Sequence, residues 1–464
     1  MTTNSDQQGQ WWEGSYYSEP FLSYLIKSEF PGRRMILEPS IGSGNLVEVW
    51  EGTDATVAGM DTDPDAIDRV KQHRPWIRSA RKDFLRVEPR RLFDLIVTNP
   101  PYVKRSRVGK TTMDRMVQIE RELGFKFAFP SIWMTFLAQS TRWLQPGGGI
   151  AAVVPRSMTF TQAGRKFTRW LQERFGSFKI VAFREKVTQG TNLCYLLLLD
   201  RYQGGGGPSR IEYIVPDSIS AVYDAMVAGG SMLTVDQMDW CRGLEVGGGA
   251  RAVEVLSHLH EAKAAHPLRK LATVSSNPKV GGNLPTGRAV LLDSPAPMRS
   301  TLLLGSAEAL PGSSWLSAPG PRVGWWWTWL ERPLLVALGP CVRPERSFEI
   351  TPQSHDSVKA LLIRLHSSIT MADVEIRARM VQGAALSFTI GDVKRFLVPT
   401  LLRPAVDMNA TIQEMQKYAA IDDWKSVMTI ADSTLLAVDR VATAILRTFV
   451  MTARKRRMRE HTGR

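Results

Sequence analysis

Asn99-Pro100-Pro101-Tyr102 is the stretch of this chain best equipped for chemistry. The Asn99 side-chain oxygen is an acceptor. So is the Pro100 carbonyl, which ring-locked φ angles on both sides hold nearly fixed. Two neighbouring acceptors suit an NH2 group, which has two hydrogens to give. An exocyclic amine on an aromatic base is a poor nucleophile, because its lone pair is delocalised into the ring. Drawing both N–H bonds toward acceptors shifts the nitrogen toward sp3 and localises that pair. Tyr102 supplies a ring on which the base can stack. With a sulfonium methyl as electrophile no strong general base is required, so the four residues fit methyl transfer to an amino group. The bland reading of Asn-Pro is a turn, and four residues alone do not decide between the two.

A buried strand delivers this tetrapeptide. Asp94–Thr98 is apolar and β-branched enough for the core of a parallel sheet. Pro100 and Pro101 cannot donate to a ladder, so pairing must end at Asn99. The groups then lie at the carboxyl edge of a sheet, where open α/β sheets bind ligands. Other segments converge on the same edge. Met35–Glu38 runs into a loop whose Gly42 and Gly44 let backbone approach a ligand closely, with a helix from Leu46. Glu38 can accept from a ligand ammonium. Thr56–Met60 ends at Asp61, and an acid at the tip of the second strand is the usual acceptor for ribose hydroxyls. Asp63 before Pro64 reads as a helix N-cap. Past a third short strand, Asp83 can accept from an adenine amino group and Phe84 can lie on its ring. Ahead of them all, Ser18 reads as the N-cap of a helix with Pro20 in its first turn and an apolar stripe of Phe21, Leu22, Leu25 and Ile26. The free N–H groups at its start would attract a ligand carboxylate.

Strand–helix alternation up to Asp200 predicts about seven strands. Lys179–Phe183 and Leu193–Asp200 are joined by a loop short for a crossover helix, which predicts an antiparallel hairpin. Val103–Lys126 reads as a basic, mobile loop whose Lys104, Arg105, Arg107 and Lys110 either meet phosphates or are simply solvated. Gln203–Pro208 is a breaker, and the Gly-rich stretch 244–250 reads as the linker. The expected division is therefore 1–245, 246–403 and a helical segment 404–464 with a basic tail, Arg454–Arg459. Trp325–Trp329 reads as core more than as base contact, and Ile412–Val450 as a helical hairpin.

With 464 residues, 44% hydrophobic and 22% charged, the chain is globular rather than disordered. Its net charge of +14 favours a polyanionic partner. Three widely spaced cysteines argue against a disulfide framework or a zinc site and suit a reducing cytoplasm. No apolar run is of membrane-spanning length, and the polar start does not read as a signal peptide.

Taken in order, the motifs resemble those of the γ-class adenine-N6 DNA methyltransferases, the TaqI- and Eco57I-like modification enzymes. The matching stretches are Tyr16–Pro20, Leu37–Gly44, Gly59–Pro64, Asp83-Phe84, Asp94–Tyr102 and Leu144–Gly148. Past the linker the likeness is faint, mainly Lys279–Asn283 and Leu386–Pro399. The resemblance implies an α/β, doubly wound, mostly parallel seven-stranded sheet with an antiparallel edge hairpin, the class I S-adenosylmethionine-dependent methyltransferase fold. A C-terminal mixed α+β target-recognition domain would follow. It implies S-adenosylmethionine as cofactor and no metal. The cofactor would lie among Ser18, Gly42 and Gly44, with Glu38 on its ammonium, Asp61 on the ribose and Asp83 on the adenine amino group. Phe84, Pro101 and Phe136 would wall the adenine ring. Asn99 and the Pro100 carbonyl would grip N6 of an adenine extruded from duplex DNA, with Tyr102 stacked on it, since the duplex hides that atom.

The expected setting is a monomer in the bacterial cytoplasm, at the nucleoid, working on double-stranded DNA beside a separately encoded restriction endonuclease. The family often places an aromatic in the last hairpin loop; here Val187 stands there, and Phe183 is the nearest aromatic. A second reading keeps the fold and changes the substrate to a protein glutamine or an RNA amino group. The long segment past the sheet and the net charge favour DNA. A fused nuclease is not expected, since the motifs begin almost at Met1 and no metal-binding acid pair with a nearby lysine is recognised.

Overall fold

The computed structural model describes residues 21–183, 187, 194–202, 207–208, 210–246, 248–276, 315–316, 322–326, 335–338, 343–344, 347–352, 358–377, 379–380, 386–387, 390–400, 402–421, 423–436 and 438–462. Ser18 and its flanking motif, Lys279–Asn283, Trp327–Trp329 and most of the loop 184–193 lie outside the described residues. The chain divides into two compact units, Met1–Cys241 and Arg242–Arg464.

The first unit is built on one sheet. Its strands are β1 (Met35–Glu38), β2 (Thr56–Asp61), β3 (Arg78–Arg81), β4 (Phe93–Thr98), β5 (Leu144–Pro155), β6 (Phe175–Ala182), β7 (Cys194–Tyr202), β8 (Ile211–Ile214) and β9 (Ser231–Leu233). They lie in the order β3-β2-β1-β4-β5-β7-β6-β8-β9. β1 to β5 pair parallel, and β7 slots antiparallel between β5 and β6, which gives the expected hairpin. Two strands exceed the seven expected. β8 runs parallel to β6, and β9 runs antiparallel to β8. The Gln203–Pro208 breaker interrupts the chain without ending the sheet.

β4 is central because both its faces are covered. Leu95, Ile96 and Val97 are fully buried, each contributing about 1.5–3 kcal/mol of apolar burial relative to exposure. Its one acid, Asp94, is buried as well and accepts from the backbone N–H groups of Arg34 and Met35 at 2.8 and 3.0 Å. The strand thereby fixes where β1 enters, and through β1 where Glu38 ends up.

Val103–Lys126 is mostly helical rather than a mobile loop: Lys110–Glu122 is a 13-residue helix with Met116 and Ile119 buried. Arg105 is used internally and not held out for phosphate. Its Nη1 donates to Glu120 Oε1 at 2.5 Å and to the Phe129 carbonyl at 3.3 Å.

In the second unit four strands, Ala272–Ser276, Ser347–Pro352, Arg322–Trp326 and Leu335–Leu338, pair antiparallel in that order. Helices Val358–Leu365 and Ser368–Arg377 pack with the helices that close the chain. The stretch expected to form a helical hairpin is three helices, Met408–Ala420, Trp424–Ser433 and Arg440–Thr462. The basic run Arg454–Arg459 lies within the last of them, and Arg456 Nη1 donates to the Glu245 carbonyl at 2.9 Å.

Candidate cofactor and amino-group site

A cavity of about 520 Å³ opens at the carboxyl ends of the parallel strands. Glu38, Gly42, Asp61, Asp83, Phe84, Asn99, Pro101 and Phe136 all line it. Pro100, Tyr102 and Gly44 lie beside these residues in the chain but not on the cavity wall. Glu38, Asp61 and Asn99, about sixty positions apart from first to last, thus meet because β1 lies between β2 and β4 in the sheet.

The glycine loop is shaped by its contacts with β2. Ile41 N–H donates to the Met60 carbonyl at 2.9 Å, and Gly42 N–H donates to Asp61 Oδ2 at 2.9 Å. Gly42 and Gly44 have φ of 50° and 75°, a left-handed backbone that suits glycine. Gly44 then caps the helix expected from Leu46, which is a 3-10 helix over Asn45–Trp50. A Cβ on Gly59 would come within 2.2 Å of Ile41 Cδ1, so a larger residue in β2 would have to displace the Ile41 side chain of the loop. Asp61 also accepts from Asp63 N–H through Oδ1 at 3.0 Å. Each carboxylate oxygen has a second lone pair, which leaves capacity for a ligand hydroxyl. Asp63 caps the helix Pro64–His73 as expected, accepting from Asp65 N–H at 2.9 Å.

Glu38 is the electrostatic centre of the cavity. It is buried, and among the described residues no hydrogen-bond donor reaches its Oε2. Burial first, and the Asp61 charge second, push its carboxyl well above the usual range, while Arg74 opposes them. A cationic amine is the ligand group that would relieve this. At the other end, the Phe84 ring lies 5.5 Å from that of Phe136 and 5.6 Å from that of Trp143, forming an aromatic wall. Asp83 accepts from Leu85 N–H at 3.0 Å and pairs with Arg86 at 3.1 Å. A buried carboxylate with an oxygen that no described donor reaches, a second acid beside the glycine loop and an aromatic wall fit the ammonium, ribose and adenine of S-adenosylmethionine.

Asn99 is held from two sides. Ser40 Oγ donates to the Asn99 carbonyl at 3.2 Å and lies 3.0 Å from Thr98 Oγ1. The Tyr102 hydroxyl lies 3.0 Å from Asn99 Oδ1 and 3.0 Å from the Val153 carbonyl. One proton faces two acceptors. The hydroxyl can therefore surrender the Asn99 oxygen to another donor and keep a hydrogen bond of its own. Tyr102 is half-buried, and its ring packs against the core. Phe183 and Val187 are both buried in that core, with Phe183 edge-on to Phe21 at 5.8 Å.

Sequence reasoning missed three contributors. Ser40 carries no sequence signal beyond that of a loop. Arg74 braces the loop from the end of helix Pro64–His73, donating to the Ser43 carbonyl at 2.9 Å and Asn45 Oδ1 at 3.1 Å. Val108, Gly109 and Thr112 line the cavity from the segment expected to be a loop, beside Arg107, expected to meet phosphate or solvent. Nothing local marks Arg74, whose partners lie about thirty residues upstream. Among the described residues no group of three or more His, Cys, Asp or Glu is placed to hold a metal ion, and no helix is long and apolar enough to cross a membrane.

The strand order, with acids at the tips of β1 and β2 beside a glycine loop, defines a class I S-adenosylmethionine-dependent methyltransferase fold. Residues 52–187, which hold Asp61, Asp83 and Asn99–Tyr102, match the Eco57I restriction-modification methylase family. The chain is 30% identical over 138 residues, 28% of its length, to a Type II methyltransferase of Thermus thermophilus, and spans 31% of that curated relative's length. Similar solved structures include the type IIG restriction endonuclease BpuSI, at 13% identity and a TM-score of 0.46 over 98% of this chain and 67% of that one. Another is the type I restriction-modification methyltransferase subunit of Streptococcus thermophilus, at 14% identity and a TM-score of 0.40 over 50% and 59% of the two chains.

Proposed function

We propose that this chain is a site-specific DNA methyltransferase that moves a methyl group from S-adenosylmethionine to N6 of an adenine turned out of duplex DNA. The observation that carries the reading is the placement of Asn99 on the same cavity wall as Glu38, Asp61 and Asp83. A side-chain oxygen able to grip an amine is thereby set beside a pocket suited to a nucleoside with a cationic tail.

Glu38 holds the ammonium, Asp61 the ribose, Asp83 the adenine amino group, and Phe84, Pro101 and Phe136 the ring. Backbone of Gly42 lies along the cofactor, with Gly44 shaping the loop behind it; Ser18, outside the described residues, is the residue whose motif would meet the cofactor carboxylate. The bound cofactor supplies a methyl group on positively charged sulfur. Asn99 Oδ1 and the Pro100 carbonyl would accept hydrogen bonds from the two N6–H groups and aim the nitrogen lone pair, and the one proton that N6 sheds on gaining the methyl group would pass to water. Tyr102 gives up Asn99 Oδ1 as the amine arrives, its hydroxyl proton turning to the Val153 carbonyl, and its ring supports the base. The net charge of +14 suits the phosphate backbone. The protein acts as a monomer in the bacterial cytoplasm, as the modification half of a system with a separately encoded nuclease.

The test is sequencing of genomic DNA from cells expressing the protein, with a readout sensitive to modified adenine. N6-methyladenine at one recurring sequence is expected. Unmodified DNA, with methyl label from S-adenosylmethionine found instead on RNA or on protein glutamine, would overturn the reading.

A further inference from the structure

Four side chains from three separate stretches of the chain close a ring of ion pairs behind the cofactor cavity. Arg115 Nη2 meets Glu88 Oε1 at 2.9 Å, and Arg142 Nη2 meets Glu88 Oε2 at 2.7 Å. Arg142 Nη1 meets Glu122 Oε2 at 2.9 Å, and Arg115 Nη1 completes the circuit at 3.8 Å from Glu122 Oε1. Arg115 Nε also donates to the Leu85 carbonyl. Two amides flank the ring: Gln139 Oε1 accepts from Arg142 at 3.3 Å, and Gln118 Nε2 donates to Glu122 at 2.7 Å.

The four corners of the ring belong to three walls of the cavity. Arg115 and Glu122 are on the helix Lys110–Glu122, whose first turn, with Arg107, Val108 and Gly109 before it, lines the cavity. Arg115 is one turn beyond Thr112, itself a wall residue. Leu85 and Glu88 follow directly on Asp83 and Phe84. Arg142 lies just past the helix Ile132–Ser140, which carries Ile132 and Phe136. The pieces that enclose the aromatic end are therefore tied together only a few residues behind their lining groups. Exposed ion pairs are individually weak. Here Arg115 keeps only 11% of its side-chain surface exposed and answers three acceptors at once, while Glu88 at 57% stays open to salt.

We propose that this ring, with Arg115 at its centre, positions the three walls for the cofactor's adenine, so that ring strength sets cofactor affinity and makes it sensitive to ionic strength. The inference rests on the reading of the cavity as the S-adenosylmethionine site. Arg115, Glu88, Arg142 and Glu122 are positioning residues. They touch no reacting atom, so their loss should leave methyl transfer at saturating cofactor unchanged.

The experiment is calorimetric titration of the full-length protein with S-adenosylmethionine, for wild type, Glu88→Gln, Arg115→Met and Arg115→Lys, together with KM and kcat for the cofactor and Tm. Glu88→Gln, at an exposed site that does not threaten folding, should raise Kd about threefold, and Arg115→Met about tenfold, with kcat held within about twofold. Arg115→Lys, which keeps the charge but not the fork of donors, should fall between them. Raising salt from about 50 to about 500 mM should weaken binding more in wild type than in Glu88→Gln. Lowered Tm with unchanged Kd in every variant, or kcat falling in step with affinity, would overturn the proposal while leaving the cavity assignment standing. A wild-type protein that binds no S-adenosylmethionine would overturn both.

Discussion

Glu38 in the first unit and Asp373 and Asp432 in the second are buried carboxylates held under opposite rules. In the first, Glu38 is buried at a cavity edge with one oxygen that no described donor reaches. In the second, Asp373 is fully buried and saturated. It accepts from Arg377 Nε at 2.8 and 2.9 Å and from Leu397 N–H at 2.8 Å. Asp432 likewise takes Ser368 N–H at 2.9 Å, Ser368 Oγ at 3.1 Å and the Arg447 guanidinium. Stripping water from a carboxylate is costly unless donors replace it. The second unit meets that requirement within the fold and gains clasps between helices. The first leaves it unmet at the one place where a cationic ligand is expected. The difference teaches how to separate a carboxylate kept for binding from one kept for structure.

Substitutions at the two places should therefore fail in different assays. Asp61→Ala removes the proposed ribose acceptor together with its bonds to Gly42 N–H in the glycine loop and to Asp63 N–H beyond β2, so S-adenosylmethionine affinity should fall by about thirtyfold or more. Unchanged affinity would remove β2 from the site. Glu38→Gln should lower affinity about tenfold, the value of a hydrogen bond to a charged group, without lowering Tm. The wild-type affinity should also weaken as pH falls through the raised Glu38 titration, since only the ionised form attracts the ammonium. In Glu38→Gln that slope should be flat. Asp432→Asn should do the reverse, costing about 1–3 kcal/mol of stability because amide hydrogens would face Arg447, with cofactor affinity untouched. If Glu38→Gln destabilised and Asp432→Asn weakened binding, the contrast would collapse.

The smallest effect concerns pH and the second unit alone. Burial raises the Asp432 carboxyl to about 6 from an ordinary 3.8. Its folded form holds the proton more tightly than the unfolded one, so its contribution is fullest below 3.8 and is lost as pH rises through 6. Burial lowers the His366 imidazole to about 4 from 6.5, against its hydrogen bond to the Leu362 carbonyl. There the unfolded form binds the proton more tightly, so its contribution is present above 6.5 and is lost as pH falls through 4. Between about 4 and 6 the two slopes oppose each other. Melting curves across that window should be nearly flat in wild type, and should decline toward acid in Asp432→Asn. A wild-type curve as steep as the variant's would mean the groups do not titrate in opposition.

What could be read from the sequence was local. β4 and the tetrapeptide announced themselves because an apolar run stopped at two prolines, and Asp61 because it stood at a strand tip. The hairpin β6–β7 followed from a loop short for a crossover. β8 and β9 escaped because a run of four glycines looks like the end of a sheet whether or not pairing resumes beyond it. The helix Lys110–Glu122 escaped because its first turn is basic and polar. What pins it, Glu88 and Arg142, lies more than twenty residues from Arg115 on either side, where no local pattern connects them. The Tyr102 hydroxyl was invisible for the same reason, since its second acceptor is a backbone carbonyl of β5.

The central claim is that Asn99 acts on the amine and not on the cofactor. The most direct measurement is the single-turnover rate of methyl transfer to DNA by Asn99→Ala, taken together with its Kd for S-adenosylmethionine. Removing one preorganised hydrogen-bonding group at a reacting centre costs about 10²–10³ in rate. The account predicts at least that loss, with cofactor affinity within about twofold of wild type. Transfer that persists, or a Kd that rises in proportion to the loss of rate, would contradict it.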